Sequence, residues 1–185
     1  MTEKAERDPM VLTIGHSTMA IEAFIDVLRA HGVNRLADVR TVPRSRHNPQ
    51  FNRETLAAVL EAAGIGYEHM AGLGGLRHAR ADSPNQAWRN LSFRGFADYM
   101  QTDAFAESLQ HLIEVSRHAR VALMCAEAVP WRCHRSLIAD ALLARGVPVA
   151  HIMGISRRQA HSLTPWAHVE HARVSYPAPG APKGA

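Results

Sequence analysis

Both cysteines of this chain lie close together, beside a carboxylate, a histidine and several arginines. Cys125 ends the apolar run 121–125, and Cys133 comes a few residues before the segment 136–145, whose apolar residues recur at helical spacing. This order predicts a strand, a loop and a helix. Such a turn directs the last side chains of the strand and the first free amides of the helix toward one point, where the helix dipole favours a thiolate or another anion.

Three kinds of chemistry fit this group of residues. A thiolate nucleophile would be Cys125 or Cys133, with His134 or His16 as its base. A zinc site would combine the two thiols with one of these histidines, although seven residues between the cysteines do not match a familiar zinc motif. The third alternative is structural, with both cysteines buried in packing roles. Six residues separate Cys125 from Arg132, one more than a phosphatase loop contains.

Polar residues also follow the first two predicted strands. The sequence Gly-His-Ser-Thr joins the first strand to a helix, and we expect Ser17 or Thr18 to cap that helix. His16 has either a functional role or a hydrogen bond to a neighbouring strand end. Asp38 and Arg40 leave the second strand on the same face, since they are two residues apart. They form either a buried ion pair or a site in which Asp38 orients a ligand hydroxyl or His16.

Arginines and glycines supply the predicted binding surface. Arg40, Arg44 and Arg46 lie within one short loop, which indicates either an anion cradle or a solvated loop. The segment 72–90 is long for a connection, and we expect it to cover the site, with a glycine pair as its hinge. We predict no metal ligands. The predicted catalytic residues are His16, Cys125, Glu127, Cys133 and His134, and the predicted substrate-binding residues are Ser17, Asp38, Arg40, Arg44, Arg46, Gly74, Gly75, Arg94, Tyr99 and Arg135.

The rest of the chain alternates strands with helices. The predicted strands are 10–14, 35–39, 65–69, 121–125 and 147–153, and the predicted helices are 19–31, 52–63, 93–100, 103–118 and 136–145. A glycine follows three of the helices, where a left-handed C-cap requires one. The pattern predicts an α/β three-layer sandwich around a mainly parallel, Rossmann-like sheet of about five strands. Ligands of such sheets bind beyond the carboxyl ends of the strands, where His, Cys, Asp and Arg gather here.

The composition is that of an ordinary globular chain, with 46% hydrophobic and 21% charged residues among 185. We expect a single α/β domain at 10–176, with disordered tails at 1–9 and 177–185, because these ends bury too little apolar surface to become ordered. No apolar run is long enough for a membrane span, and no secretory signal is recognisable. We therefore expect a cytoplasmic protein without a membrane partner.

The net charge and the cysteine content limit the possible partners and the possible state of the thiols. A formal net charge of +4 with 12 histidines suits either an anionic partner or a solvated basic surface. Two cysteines are too few for a disulfide framework, so in a reducing compartment they are thiols, metal ligands or a redox pair. The chain lacks the common dinucleotide and Walker phosphate loops, and its sequence specifies neither a cofactor nor an oligomeric state.

Several motifs, taken in order, resemble the domain of unknown function 488 family. They are Thr-Ile-Gly-His-Ser at 13–17, Asp-Val-Arg at 38–40, Pro-Arg-Ser-Arg at 43–46, Leu-Gly-Gly at 73–75, the stretch 93–100, Cys-Ala-Glu at 125–127, Cys-His-Arg at 133–135 and Ile-Ala-Asp at 138–140. The resemblance covers residues 11–154 and implies an α/β fold without implying a reaction. Phe96 departs from the pattern, which has Tyr there, and this removes one hydroxyl group.

Two functions fit these observations. The first is an enzyme acting on a nucleotide, a nucleic-acid base or another anionic small molecule, in which a cysteine is the reactive thiol and arginines hold the anion. His16 and Glu127 are then the acid and base candidates, and Cys133 is the more reactive thiol because it lies nearer the helix start. The second is a non-catalytic module that binds nucleic acid or nucleotides, with arginines on phosphates and structural cysteines.

Overall fold

The alternation of strands and helices folds into the three-layer α/β sandwich that the sequence predicts. The computed structural model describes residues 10–182. The strands are β1 (Val11–Gly15), β2 (Arg35–Asp38), β3 (Gly66–His69), β4 (Val121–Cys125), β5 (Val149–Gly154), β6 (Arg157–Ala160), β7 (His168–Glu170) and β8 (Arg173–Ser175). The helices are α1 (Ile21–Ala30), α2 (Arg53–Ala62), α3 (Leu91–Tyr99), α4 (Asp103–His118) and α5 (Arg135–Ala144).

Six strands form the main sheet, in the order β3-β2-β4-β1-β5-β6. The first five are parallel to one another, and β6 runs antiparallel to β5. In this register Gly15 pairs with Cys125, and Asp38 pairs with Met124 and His69, so the carboxyl ends of four strands meet at one edge. Strand β6 was not predicted because its residues are all exposed and show no apolar pattern. The small hairpin of β7 and β8 was not predicted either.

Alternating side chains along each strand contribute to two separate cores. Helices α1 and α2 pack on one face of the sheet, over a core that contains Leu12, Ile14 and Met124. Helices α3, α4 and α5 pack on the other face, over a core that contains Leu123 and Cys125. The position of a residue within its strand therefore decides which helical layer its side chain meets.

Two of the five helices start with a side-chain cap, and α1, α2 and α5 do not. Asn90 starts α3 by accepting hydrogen bonds from two backbone amides, and Thr102 starts α4 by accepting one. The predicted cap of α1 at Ser17 or Thr18 is wrong, because α1 begins after Ala20 without a side-chain cap. Ser17 instead has a φ of 47°, and its amide donates to a carbonyl beyond β4. The glycines after α1, α2 and α5 have positive φ, as predicted.

Residues 177–182 contain no helix or strand. The predicted tail at 1–9 lies outside the described residues, as do residues 183–185 of the predicted C-terminal tail. Within residues 10–182, none of the helices combines the length and the apolar character that crossing a bilayer requires.

Candidate functional site

The loop between β4 and α5 brings the two cysteines together. Cys125 is the last residue of β4, and a short 3-10 turn, Pro130–Arg132, returns the chain so that Cys133 lies beside it. The two sulfur atoms are 2.6 Å apart, and both side chains are buried free thiols. They share a hydrogen bond in which either sulfur can be the donor.

The surroundings of Cys133 favour its thiolate. Its Sγ lies 3.6 Å from His134 Nδ1 and 3.5 Å from the first backbone amide of α5, that of Arg135. Burial opposes ionisation, but hydrogen bonds from Cys125 and His134 and the charges of His134 and Arg135 outweigh it and hold the pKa of the Cys133 thiol well below its usual range. The hydrogen bond with Cys133, together with burial, raises the pKa of the Cys125 thiol. Of the two thiols, Cys133 is therefore the one whose surroundings favour the thiolate.

The ring of His134 is fixed by backbone groups. Its Nε2 lies 3.1 Å from the carbonyl oxygen of Val39 and 3.0 Å from that of Leu73, so Nε2 carries a proton and donates it. This orientation leaves Nδ1 facing the Cys133 sulfur. The ring also lies against Gly75, where an added Cβ would be 2.6 Å from Nδ1. Gly75 is thus required for this close approach.

Arg135 braces the loop from within the protein. Its guanidinium is buried, with Nη2 donating to the Glu127 carbonyl at 2.7 Å and Nη1 to the Thr13 hydroxyl at 3.5 Å. The same carbonyl approaches β1 so closely that a Cβ on Gly15 would lie 1.8 Å from its oxygen. Arg135, predicted to bind substrate, is therefore occupied by protein groups, and its charge acts on the thiols beside it.

A chain of buried hydrogen bonds lies behind Thr13. The Thr13 hydroxyl is 2.7 Å from His151 Nδ1, His151 Nε2 is 2.9 Å from His161 Nδ1, and His161 Nε2 is 2.8 Å from Asp140 Oδ1. Tyr176 donates to the other Asp140 oxygen at 2.6 Å. Burial, together with the charge of His161, lowers the pKa of His151 to about 4, so this ring stays neutral near pH 7.

This series of hydrogen bonds was not predicted from the sequence, although Asp140 provided one signal. Asp140 is a lone carboxylate within the apolar helix α5 and is fully buried there. A buried carboxylate requires hydrogen-bond donors, which here come from distant segments of the chain.

The two thiols open into a pocket of about 270 Å³, called here the thiol pocket. Its lining includes Cys125, Cys133, His134, Glu127, Arg132, Thr41, Gly75, Leu76, Ser92 and Phe93. Arg132 is an exposed cation in this lining, and the exposed carboxylate of Glu127 accepts a hydrogen bond from the Val129 amide at 3.2 Å. Thr41, Ser92 and Phe93 were not predicted as site residues, because they come from another loop and from α3, and their residue types do not by themselves indicate chemistry. Among residues 10–182, no three His, Cys, Asp or Glu side chains are grouped so that they could hold a metal ion.

A second group, the histidine–arginine cluster of His16, Asp38 and Arg40, lies at the same edge of the sheet. Arg40 Nε and Nη2 donate to the two carboxylate oxygens of Asp38 at 2.9 and 2.7 Å, and Nη2 also donates to the Phe51 carbonyl at 2.7 Å. The hydroxyl of Tyr67 donates to Asp38 as well, at 2.6 Å. Of the two alternatives for Asp38 and Arg40, the structure contains the buried ion pair.

His16 completes this cluster by stacking on the Phe51 ring, with 4.1 Å between ring centroids. Its Nδ1 bonds to the Ser17 carbonyl at 2.8 Å, and its buried Nε2 has no partner among residues 10–182. Burial lowers the pKa of His16. The ring is therefore neutral near pH 7.

The histidine–arginine cluster and the thiols are linked by a backbone hydrogen bond, but their side chains do not share the thiol pocket. The amide of His16 donates to the carbonyl of Cys125 at 2.9 Å. Their side chains nevertheless point to opposite faces of the sheet, because Cys125 pairs with Gly15 and His16 is one residue further along. None of His16, Asp38 and Arg40 lines the thiol pocket.

The other predicted binding residues are spread around this edge. Arg44 and Arg46 are exposed, and their guanidinium groups make no hydrogen bond within residues 10–182. Arg94 donates to a backbone carbonyl at 2.9 Å. The Tyr99 hydroxyl donates to the Gly72 carbonyl at 2.7 Å. These contacts hold the segment 72–90 against α3.

That segment was predicted to be a hinged cover. Gly75 and Leu76 do line the thiol pocket. Arg77, however, lies 3.6 Å above the ring of Tyr99, and Asp98 accepts hydrogen bonds from Arg80, Ser83 and Asn85. Gly74 packs so closely on Thr41 that a Cβ would meet the threonine hydroxyl at 2.6 Å. The glycine pair thus serves close packing, and whether the segment moves stays a prediction.

Comparison with known proteins identifies the family. The family model described as "Domain of unknown function DUF488" matches residues 20–142. The chain belongs to the DUF488 family. Neither the search of curated proteins nor that of solved structures found a match. The DUF488 match includes both cysteines and Asp140, whereas Thr13 precedes it and His151 and His161 follow it.

Proposed function

We propose that this protein is a thiol-dependent enzyme in which Cys133 is the nucleophile toward a small anionic substrate. The observation that carries the proposal is a cysteine with a strongly lowered pKa whose sulfur faces a pocket of about 270 Å³. A nucleophilic thiolate requires a hydrogen-bonded or positively charged environment, and structural cysteines in apolar surroundings lack one. Perturbed pKa values of this kind mark functional sites more often than packing sites.

The neighbouring groups have distinct roles in such a reaction. Cys125 donates a hydrogen bond to the thiolate, and His134 faces the same sulfur from a fixed ring. The Cys133 sulfur attacks an electrophilic sp2 carbon of the substrate, such as an acyl carbon, and the bond to the leaving group breaks with its electron pair remaining on that group, which takes up a proton from water. The product of this step is a covalent adduct on Cys133, which water hydrolyses in a second step.

An anionic substrate follows from the charge at this edge. Arg132 is an exposed cation in the pocket lining, Arg135 is buried next to the thiols, and the chain carries a net charge of +4. The candidate substrates are a nucleotide, a nucleic-acid base or another anionic small molecule, with Arg132 available to any anionic group beside the thiols. A cytoplasmic location, proposed from the sequence, would keep both thiols reduced.

Paired alkylation rates test the proposal. The purified protein is treated with iodoacetate, which is anionic, and with iodoacetamide, which is neutral, and labelling is followed by mass spectrometry between pH 5 and pH 9. We expect Cys133 to label below the ordinary thiol pKa of about 8.5 and to prefer iodoacetate more than free glutathione does. Arg132→Ala should reduce that preference, whereas Arg158→Ala, on the exposed strand β6, should not.

Cysteine variants separate the two thiols. Cys133→Ser should abolish the fast labelling, and Cys125→Ala should shift the reaction to higher pH because the thiolate loses its hydrogen-bond donor. Equal labelling of the wild type and Cys133→Ser would exclude Cys133 as the nucleophile. An unchanged reagent preference in Arg132→Ala would exclude an anion site in the thiol pocket.

A further inference from the structure

All three tryptophans of the chain line one pocket, which the proposed thiol chemistry does not use. This tryptophan pocket has a volume of about 410 Å³ and contains Trp88, Trp131 and Trp166. Ligand pockets are of this size, from about 300 to 1,000 Å³, and are mainly apolar with a few polar groups. The presence of all three tryptophans around a single pocket indicates that it recognises a flat apolar group.

The arrangement of the rings leaves aromatic surface uncovered. Trp131 is 58% exposed and Trp166 is 47% exposed. Trp88 and Trp166 meet edge to face, with 5.2 Å between ring centroids and 74° between their planes. A planar ligand stacked on one of these rings would meet the edge of the other, and both contacts are favourable for aromatic groups.

Polar side chains in the same pocket could recognise the edge of a heterocycle. The Gln159 amide and the Ser162 hydroxyl line the pocket, and neither makes a side-chain hydrogen bond within residues 10–182. His161 also lines the pocket, but its two ring nitrogens bond to His151 and Asp140. Gln159 and Ser162 are exposed at the rim, and deeper in the lining the buried Nε1 of Trp88 has no hydrogen-bond partner among residues 10–182.

The tryptophan pocket and the thiol pocket lie on the two sides of one loop. Trp131 lines the first, and the next residues, Arg132 and Cys133, line the second. Phe93 of the thiol pocket packs against Trp88 of the tryptophan pocket with 5.0 Å between ring centroids. A ligand whose ring occupies the tryptophan pocket could therefore extend an anionic group over the loop to Arg132.

We propose that the tryptophan pocket binds the base of a nucleotide and that Arg132 contacts its phosphate. Stacking on exposed tryptophan, hydrogen bonding at the rim and one exposed cation nearby together match the chemistry of a nucleotide, which combines an aromatic heterocycle with an anion. The inference rests on the proposed function, since the phosphate would occupy the anion site at Arg132 in the thiol pocket.

Tryptophan fluorescence tests this directly, because the whole signal comes from residues that line the pocket. The protein is titrated with the common nucleoside 5′-monophosphates and with ribose 5-phosphate. We expect saturable quenching by nucleotides and none by ribose 5-phosphate. Trp131→Ala should weaken nucleotide binding about tenfold or more, since loss of one stacking ring has such effects. Ile155→Ala, an exposed residue outside the pocket, should bind as the wild type does.

Further binding measurements test the phosphate contact and the form of the nucleotide. Arg132→Ala should weaken binding of a nucleotide more than binding of the matching nucleoside. Tighter binding of octathymidylate than of thymidine monophosphate would show that the nucleotide is bound as part of a single-stranded nucleic acid. Tighter binding of the monophosphate would show that the ligand is a free nucleotide. Absence of saturable quenching, or equal quenching in Trp131→Ala, would overturn the inference. Failure of Cys133 to alkylate would not, since that result concerns only the proposed thiol chemistry.

Discussion

Two groups of polar residues lie at the same edge of this sheet and differ in what they leave free. The thiol pocket presents a low-pKa sulfur, an imidazole and an exposed cation to an open concavity. In the histidine–arginine cluster, Asp38 and Arg40 are paired with each other, and His16 is stacked on Phe51. Similar residue types therefore form a candidate reactive site on one face of the sheet and a buried bracing network on the other, in which His16 Nε2 and Arg40 Nη1 have no hydrogen-bond partner among residues 10–182.

The difference comes from strand geometry and not from residue chemistry. Side chains alternate along a strand, so neighbours such as Gly15 and His16 face different helical layers. On one layer the loop before α5 leaves a pocket beside Cys133. On the other, the ring and carbonyl of Phe51 occupy the space next to the cluster. A polar residue at the carboxyl edge is thus a site candidate only when its own face is open.

The largest effect on this comparison should come from breaking the ion pair. Arg40→Ala leaves Asp38 buried without its countercharge, and we expect a loss of about 3–5 kcal/mol in the free energy of unfolding. Urea denaturation measures it. Arg35→Ala is the matched control, because the Arg35–Glu68 pair is 40% and 28% exposed and should contribute within about 1 kcal/mol. A small effect of Arg40→Ala would show that the cluster is not a structural brace.

A somewhat smaller effect should follow acidification. The pKa of His151 falls from 6.5 in the unfolded chain to about 4 in the folded protein. The free energy of unfolding is therefore unaffected by this group above pH 6.5, and it decreases as the pH falls from 6.5 toward 4. The difference corresponds to about 3 kcal/mol. His151→Gln cannot take up this proton and should show a shallower loss of stability between pH 6.5 and pH 4. Parallel stability curves for the two proteins would contradict a buried neutral ring behind the thiols.

Gly75→Ala should change the surroundings of the thiols while the rest of the protein stays folded. The new methyl group would displace the His134 ring, and loss of one charge-assisted hydrogen bond should raise the pH midpoint of Cys133 alkylation by about 1–2 units. The thermal unfolding midpoint, read by circular dichroism, provides the control for intact folding. An unchanged midpoint of alkylation in a folded variant would show that His134 does not support the thiolate.

The smallest effect is expected from His16→Phe. Phenylalanine retains the stacking on Phe51 and removes only the imidazole nitrogens, so stability should change by about 1 kcal/mol or less. The rate of Cys133 alkylation should stay within about twofold of the wild type, since the imidazole faces the other layer of the sandwich. A tenfold slower rate would mean that His16 acts on the thiols after all, and the two groups would then form one site.

The sequence by itself determined the strand and helix pattern and the edge of the sheet at which chemistry gathers. Hydrophobic periodicity and glycine caps are local signals, and they placed five strands and five helices close to their observed bounds. The same local logic indicated Cys133 as the thiol nearest a helix start. It did not find β6, whose exposed residues carry no periodic signal.

Only the tertiary structure decided which of those residues share a pocket. The proximity of Cys125 and Cys133 depends on the path of the loop, and the position of His134 depends on carbonyls from Val39 and Leu73, far away in sequence. Asp140, His151 and His161 meet because α5, β5 and the loop after β6 pack together. Hydrogen bonds and packing between distant segments carry no periodic trace in the sequence, and such contacts separate the open thiol pocket from the buried cluster.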